Sequence, residues 1–281
     1  ELRYEGAMAH RVYVAVPIAQ AGPLLEQGAE HSGDGLIDLG GIKVFIDGTL
    51  GSRGAAMNES YSDKENHFGA FVTPKDSIYY YAQRIAVSGF QMNTHAIGDA
   101  ANEAVLNAYT NEVRFLRDPR WRIEHAQVVS PEDFKYFDDI MPSIQPTHCT
   151  SDMYWAVDRV GSERLKGAYA YKELLNVNGM VALGTDFPVE QVSPLLTFYA
   201  AVSRQDLKGY PEGGFQMQNA LTREEALKGM TIWAAYASFE EQEKGSIESG
   251  KFADFIILDK DIMEVPVQDI PNIKVQHTFI D

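Results

Sequence analysis

The stretch FQMNTHAIGDAANEAV, residues 90–105, holds the pattern that decides the fold. Its first half alternates, with Phe90, Met92 and Thr94 on one side, as a half-buried strand does. His95 stands at the end of that strand. Gly98 turns the chain, Asp99 is placed to cap a helix, and an Ala/Glu/Leu-rich run follows. A strand that delivers a polar side chain and passes straight into a helix is one βα unit, and α/β barrels gather their chemistry at such carboxyl ends. RWRIEHA (residues 120–126) repeats the pattern to His125, one unit later. VALGTDFP (residues 181–188) repeats it to Asp186, about two units further on. The spacing predicts one ring of strands with His95, His125 and Asp186 at a common mouth.

Working outward, residues 1–10 read as the tail of a helix, RVYVAV (11–16) as a strand ended by Pro17, and residues 20–31 as a helix. A strand over 41–48 carries Lys43 among apolar residues, and a long Gly-rich polar loop follows to Phe71. Loops of that length in compact domains are usually functional covers or disordered. Thr73 as N-cap, Pro74 at the first position and Gly89 after the end mark the next helix. A helix is expected over about 99–116, and Ser130-Pro131-Glu132-Asp133 signals another start. MPSIQPTH (141–148) reads as a strand, a helix over about 162–177 closes at Asn178-Gly179, and a strand at 180–185 leads to Asp186. Ser193-Pro194 starts one more helix, and Thr222 with Glu225 forms a capping box for a helix to about 239. Strands near 11, 42, 90, 121, 141 and 181 thus alternate with helices, which implies a parallel sheet with right-handed crossovers. Residues 1–243 form this unit. In 244–281 β-type runs (Phe255 to Leu258, Ile273 to Val275) and turn residues predict strands of a small β appendage.

Hydrophobic residues at 45% allow a large core. The 24 basic against 40 acidic residues give a net charge of −16, which argues against nucleic acid or an anionic membrane surface as partner. No apolar run approaches a membrane span. A single cysteine, Cys149, rules out an internal disulfide and is compatible with the cytoplasm. The chain opens on Glu1, which leaves room for a removed leader or an earlier segment, so an exported form stays open as well.

Each candidate residue has a plain reading beside the chemical one. A lone strand-end histidine is more often bonded to a loop than to a metal, but His95 and His125 at matching ends, with Asp186, favour a metal site. Asp186 reads equally well as a turn cap and as a carboxylate that binds metal and takes a proton from water. Lys43 taken alone reads as an ion-pair or snorkelling side chain, although a desolvated lysine can lose its proton and add carbon dioxide. His148 could contact substrate or cap a loop. Arg53 and Gly51 could hold an anionic or carbonyl group, with a solvated arginine as the simpler reading. His10, His31, His67 and His277 read as surface residues.

IKVFIDGTLGSRGAAM, NTHAIGDAA, RIEHAQ, QPTH, LGTDFPVE and GSIESGKFADFIIL, in this order, resemble the amidohydrolase superfamily over nearly the whole chain. The resemblance is to the amidohydrolase 3 branch, the one that includes N-substituted formamide deformylase. It implies a TIM-type (β/α)8 barrel with a β-sandwich appendage built from both chain ends, and hydrolysis of carbon–nitrogen bonds by a metal-activated water. Carried onto this sequence, Lys43 would be the carboxylated, metal-bridging lysine of the fourth strand. His95 and His125 would be the ligands of the fifth and sixth, and Asp186 the eighth-strand ligand and general base. One or two divalent ions, zinc by expectation, would be held there. His148 and Arg53 would steady a small-molecule amide substrate.

The family also places a His-x-His pair on its first strand, and no such pair occurs in this sequence. By this count RVYVAV is the third barrel strand, so the expectation is an incomplete barrel of about six strand–helix units from a longer protein. Such a chain should be inactive alone, and its open sheet edges should favour a homodimer or aggregation. The rival from another class is a binding or regulatory relative that keeps the barrel without the chemistry. A phosphate-handling barrel is disfavoured, because no Gly-rich cradle stands at the final strand–helix turn.

Overall fold

The computed structural model describes residues 10–28, 30–31 and 36–281. The helix expected over 1–10 lies outside the described residues apart from its last position.

Nine strands are described: β1 (Val12–Pro17), β2 (Glu30–His31), β3 (Ile37–Phe45), β4 (Gln91–Ala96), β5 (Arg122–His125), β6 (Met141–Ile144), β7 (Ala182–Leu183), β8 (Phe255–Leu258) and β9 (Val275–Phe279). Nine α-helices accompany them: α1 (Gly22–Gln27), α2 (Lys75–Ala86), α3 (Asp99–Val113), α4 (Pro146–Asp152), α5 (Ala156–Arg164), α6 (Tyr171–Asn178), α7 (Pro194–Ser203), α8 (Arg223–Met230) and α9 (Ile232–Ala237). Six strands pair in parallel in the order β1-β3-β4-β5-β6-β7, with β2 antiparallel on β3. They form an incomplete TIM-type (β/α)8 barrel. Among the described residues β1 and β7 are its two edges. β8 and β9 make a separate antiparallel pair at the carboxyl end of the chain. No described helix is long and apolar enough to cross a membrane.

Packing follows the pleat. Ile42 and Val44 of β3 and Met92 of β4 are fully buried among the helices. Gly41, Lys43 and Phe45 alternate to the other face, where Asn93 and His95 stand opposite Lys43 and Phe45 in register. The inner face is unusually polar for such a barrel, whose interior is ordinarily filled by branched apolar residues. Tyr13 donates to Gln91 Oε1 (3.2 Å), Arg122 pairs with Glu124 (3.0 Å), and Asn93 is fully buried. Gly41 leaves room for Asn93: a Cβ there would stand 2.5 Å from Asn93 Nδ2.

Several local expectations need correction. The helix expected over 20–31 is only α1, because Gly28 (φ 88°) turns the chain toward β2. Thr73 does not cap α2; its hydroxyl donates to Phe45 O at 2.6 Å and ties the helix start to β3. Gly98, not Asp99, is the N-cap of α3, and Asp99 is its first residue. Ser130-Pro131 opens a 3-10 stretch (Pro131–Asp138) with no side-chain cap. The strand expected to run to His148 stops at Ile144, since Pro146, with no N–H and φ fixed near the helical value, starts α4 instead. The single helix expected over 162–177 is α5 and α6, separated by a 3-10 turn (Leu165–Gly167), and α6 ends on Gly179 in the left-handed conformation. The capping box holds: Glu225 N donates to Thr222 Oγ1 (3.2 Å) and Thr222 N to Glu225 Oε2 (2.8 Å). Its helix breaks at Thr231 into α8 and α9. The last strand lies over Val275–Phe279, while Ile273 packs into the core.

Candidate functional site

The carboxyl ends of the parallel strands surround a cavity of about 510 Å3. Lys43 and Phe45 enter it from β3, His95 from β4, His125 from β5, His148 from α4 and Asp186 from the turn after β7. Leu50, Trp155 and Val189 add an apolar wall.

His125 reaches this cavity by leaving strand geometry. Arg122 and Glu124 share one face of β5, so a regular strand would send His125 to the other. Instead His125 has φ 78° and the following Ala126 φ 43°. Left-handed backbone is uncommon for such residues and marks strain held by the surroundings. Asp186 is left-handed too (φ 54°), which aspartate tolerates better. The result is convergence: donor atoms of His125, His148 and Asp186 all lie within 4.8 Å of one another. The His125 and His148 rings stack with centroids 5.6 Å apart, and His95 meets His125 edge-on at 4.6 Å. His148 Nε2 is 3.2 Å from Asp186 Oδ2, and its Nδ1 is 3.1 Å from Glu190 Oε1.

Burial sets the charge states. It pushes the His95 pKa down to about 4, helped by the Lys43 charge. It pushes His125 to about 3, with His95 and His148 adding repulsion. Both rings are therefore neutral near pH 7, the form that offers a nitrogen lone pair. Burial also lowers Lys43, against the pull of Glu124. His148 goes the other way: burial opposes its charge, but hydrogen bonds to Asp186 and Glu190 hold its pKa up at about 9. The same bond keeps Asp186 below the usual carboxylate range. A cation bound by His148 would have to displace a ring proton, as metal binding to histidine generally does.

The residues present suit a divalent cation. Two imidazoles and a carboxylate are a donor set of the kind zinc takes. His125 Nδ1 is buried with no hydrogen-bond partner, a nitrogen that a cation would satisfy. His95 is turned slightly away, its Nε2 being 3.5 Å from both Gly48 O and Asp47 Oδ1. Lys43 Nζ lies 4.8 Å from the Phe45 ring centroid, over its face.

Asp47, Asp152 and Glu190 were not singled out in the sequence, and each depends on contacts distant along the chain. Asp47 is buried at the end of β3 and accepts from Ala56 N (2.9 Å), Ile97 N (3.1 Å) and Gly98 N (2.8 Å). Burial raises its pKa to about 7 against those three donors. It fastens the 49–71 loop to the turn that follows His95, and Asp99 Oδ1 adds a bond from Asn58 N (2.8 Å). The loop is thus a packed wall, with Ala55, Ala56 and Tyr61 in the core. Asp152 lines the cavity and accepts from Tyr169 (2.7 Å) and Gln127 (3.1 Å).

Gly51 lines the cavity, but Arg53 does not. The Arg53 guanidinium grips Asp63 through two bonds of 2.8 Å. His67 is half-buried, bonded to Arg53 O (2.9 Å), rather than a free surface residue. His10 and His277 are exposed, and the side chain of His31 lies outside the described residues. Cys149 is buried and free.

The profile of the amidohydrolase family matches residues 9–281. The chain belongs to the amidohydrolase family. It is similar to protein LONG AFTER FAR-RED 3 of Arabidopsis thaliana, 38% identical over 78% of this chain and 38% of that protein. It is 27% identical to N-substituted formamide deformylase of Arthrobacter pascens, over 88% of this chain and 45% of the enzyme. A metal-dependent hydrolase of uncharacterised activity from Pyrococcus furiosus superposes on 94% of this chain and 53% of its own, with TM-score 0.82 and 31% identity. The chain thus spans about half, or less, of the length of these relatives.

Proposed function

We propose that the protein is a metal-dependent hydrolase of carbon–nitrogen bonds other than peptide bonds, with N-substituted amides or formamides as substrates. The observation that carries this reading is the meeting of His125, His148 and Asp186 within 4.8 Å at the strand ends of an amidohydrolase barrel. The names of the formamide deformylase and the Pyrococcus hydrolase support it. His125, His148 and Asp186, with His95 and Lys43 beside them, would hold the ion, zinc in our reading. A divalent ion there supplies Lewis acidity: it polarises the scissile carbonyl and eases deprotonation of water.

The chain's own residues do the rest. Asp186, kept ionised by His148, takes the proton of the attacking water on a carboxylate oxygen and returns it to the leaving amine nitrogen. Before an ion is bound, His148 holds that carboxylate in place through Nε2, the nitrogen it would give to the ion. Phe45, Leu50, Trp155 and Val189 pack against the apolar substituent of the amide and exclude bulk water. Lys43, with its ammonium form disfavoured by burial, is suited to add carbon dioxide through Nζ, releasing one amine proton to give a carbamate.

The test uses the full-length protein stripped by a chelator and reloaded with zinc, cobalt or manganese. Amine release is followed over a panel of N-substituted formamides and acylated amines. Turnover lost on stripping and restored by metal supports the reading. Turnover that persists in verified metal-free protein overturns it, and a metal-loaded protein inert to the whole panel favours a binding or regulatory relative.

A further inference from the structure

We infer that Glu190 is the positioning residue of this centre, holding the His148 ring so that its Nε2 faces Asp186 and the space beside His125. The inference deepens the proposed function and rests on it. Asp186 and Glu190 belong to one turn, closed by Val189 N donating to Asp186 O at 2.8 Å. From that turn the two carboxylates grip a single imidazole at both nitrogens, Asp186 at Nε2 (3.2 Å) and Glu190 at Nδ1 (3.1 Å). One contact would leave the ring free to swing about its Cβ–Cγ bond; two on opposite nitrogens fix that angle.

Glu190 is itself held. Ser151 Oγ donates to the same Oε1 at 2.5 Å, and Ser151 sits on α4 three residues beyond His148. The carboxylate therefore spans from the turn after β7 to the helix that carries the ring, and it sets their distance. With Oε1 shared between His148 and Ser151, Glu190 is turned to support rather than to proton transfer with substrate. Carboxylates that accept the second N–H of a metal-ligating histidine fix ring orientation and commonly change metal affinity by about 10–100-fold.

The experiment uses full-length protein labelled with 15N at histidine, metal-free, and then titrated with cobalt(II) alone. His148 Nδ1–H should give a downfield, slowly exchanging ring proton, assigned by its loss in His148→Gln. That signal should persist in Glu190→Gln, whose amide oxygen still accepts, and vanish in Glu190→Ala. Glu190→Met, which keeps the chain length without a strong acceptor, should match Ala and serves if Ala does not fold. Cobalt affinity should fall about 10–100-fold in Glu190→Ala or Glu190→Met and stay within about tenfold of wild type in Glu190→Gln. An unchanged Nδ1–H signal or unchanged cobalt affinity in Ala and Met overturns the assignment. If wild type takes up no cobalt, the metal-hydrolase reading fails, while the ring-proton comparison still decides the role of Glu190.

Discussion

Replacing Gly98 by alanine tests how the 49–71 wall is fastened to the centre. Gly98 has φ −73°, which any residue adopts, so the effect comes from space alone. An added Cβ would stand 1.9 Å from Ala56 O and 2.5 Å from Ala56 C, both backbone atoms. Relief requires the 55–57 segment to retreat by about 1 Å or more, an overpacking strain worth roughly 1–3 kcal/mol. That retreat pulls on bonds of 2.8–2.9 Å: Gly98 N and Ala56 N to Asp47 Oδ2, and Asn58 N to Asp99 Oδ1. A bond stretched by about 1 Å leaves hydrogen-bonding range, and each buried N–H so orphaned costs about 1–3 kcal/mol. With one bond lost and partial relaxation, Gly98→Ala should destabilise by about 3–5 kcal/mol, a large share of a typical domain's stability. Urea unfolding measures it, with Gly22→Ala as control because nothing lies within 4 Å of a Cβ there. Limited proteolysis should also cut faster within 49–71. A Gly98→Ala protein within about 1 kcal/mol of wild type and equally resistant in that loop would refute the reasoning.

Asp152→Asn should stabilise the protein at pH 8. Burial raises the Asp152 pKa from 3.8 to about 6, so its contribution is unfavourable above pH 6 and absent below 3.8; a gain of roughly 2–3 kcal/mol should shrink as pH falls through that window, and a pH-independent difference in unfolding free energy would contradict it. Thr222→Ala removes one arm of the capping box and should cost about 1 kcal/mol in thermal or urea unfolding, with no change in metal content. Asp186→Asn should lose about 10²–10⁴ in amide turnover and hold the metal more weakly; a variant with turnover within a few-fold of wild type would take the base role away from Asp186.

The βα grammar was legible because strand period, turn glycine and helix start are local signals, as at 90–105. The strand ends that carry His95 and Asp186 came with it. His125 was legible only as a strand-end residue, since its swing to the inner face needs the left-handed backbone at 125–126. His148 lies on α4 rather than on the strand expected over 141–148, because Pro146 makes a good first helical residue. Asp47 and Glu190 look like ordinary loop acids until the 49–71 wall and α4 fold against them. The pairing of Arg53 with Asp63 was hidden for the same reason: the partner lies ten residues away across a loop whose path the sequence does not reveal. The polar inner face, with Asn93, Arg122 and Glu124, departs from the usual barrel filling, and nothing in the local pattern separates it from a half-exposed strand.

In the proposed function His125, His148 and Asp186 hold a divalent ion. Elemental analysis of full-length protein, purified wild type beside His125→Ala, tests it most directly. Wild type should carry at least one divalent ion per chain and the variant far less, with both proteins showing similar secondary structure by circular dichroism. Full metal occupancy in a folded His125→Ala protein, or a wild type that neither carries nor takes up a divalent ion, would contradict it.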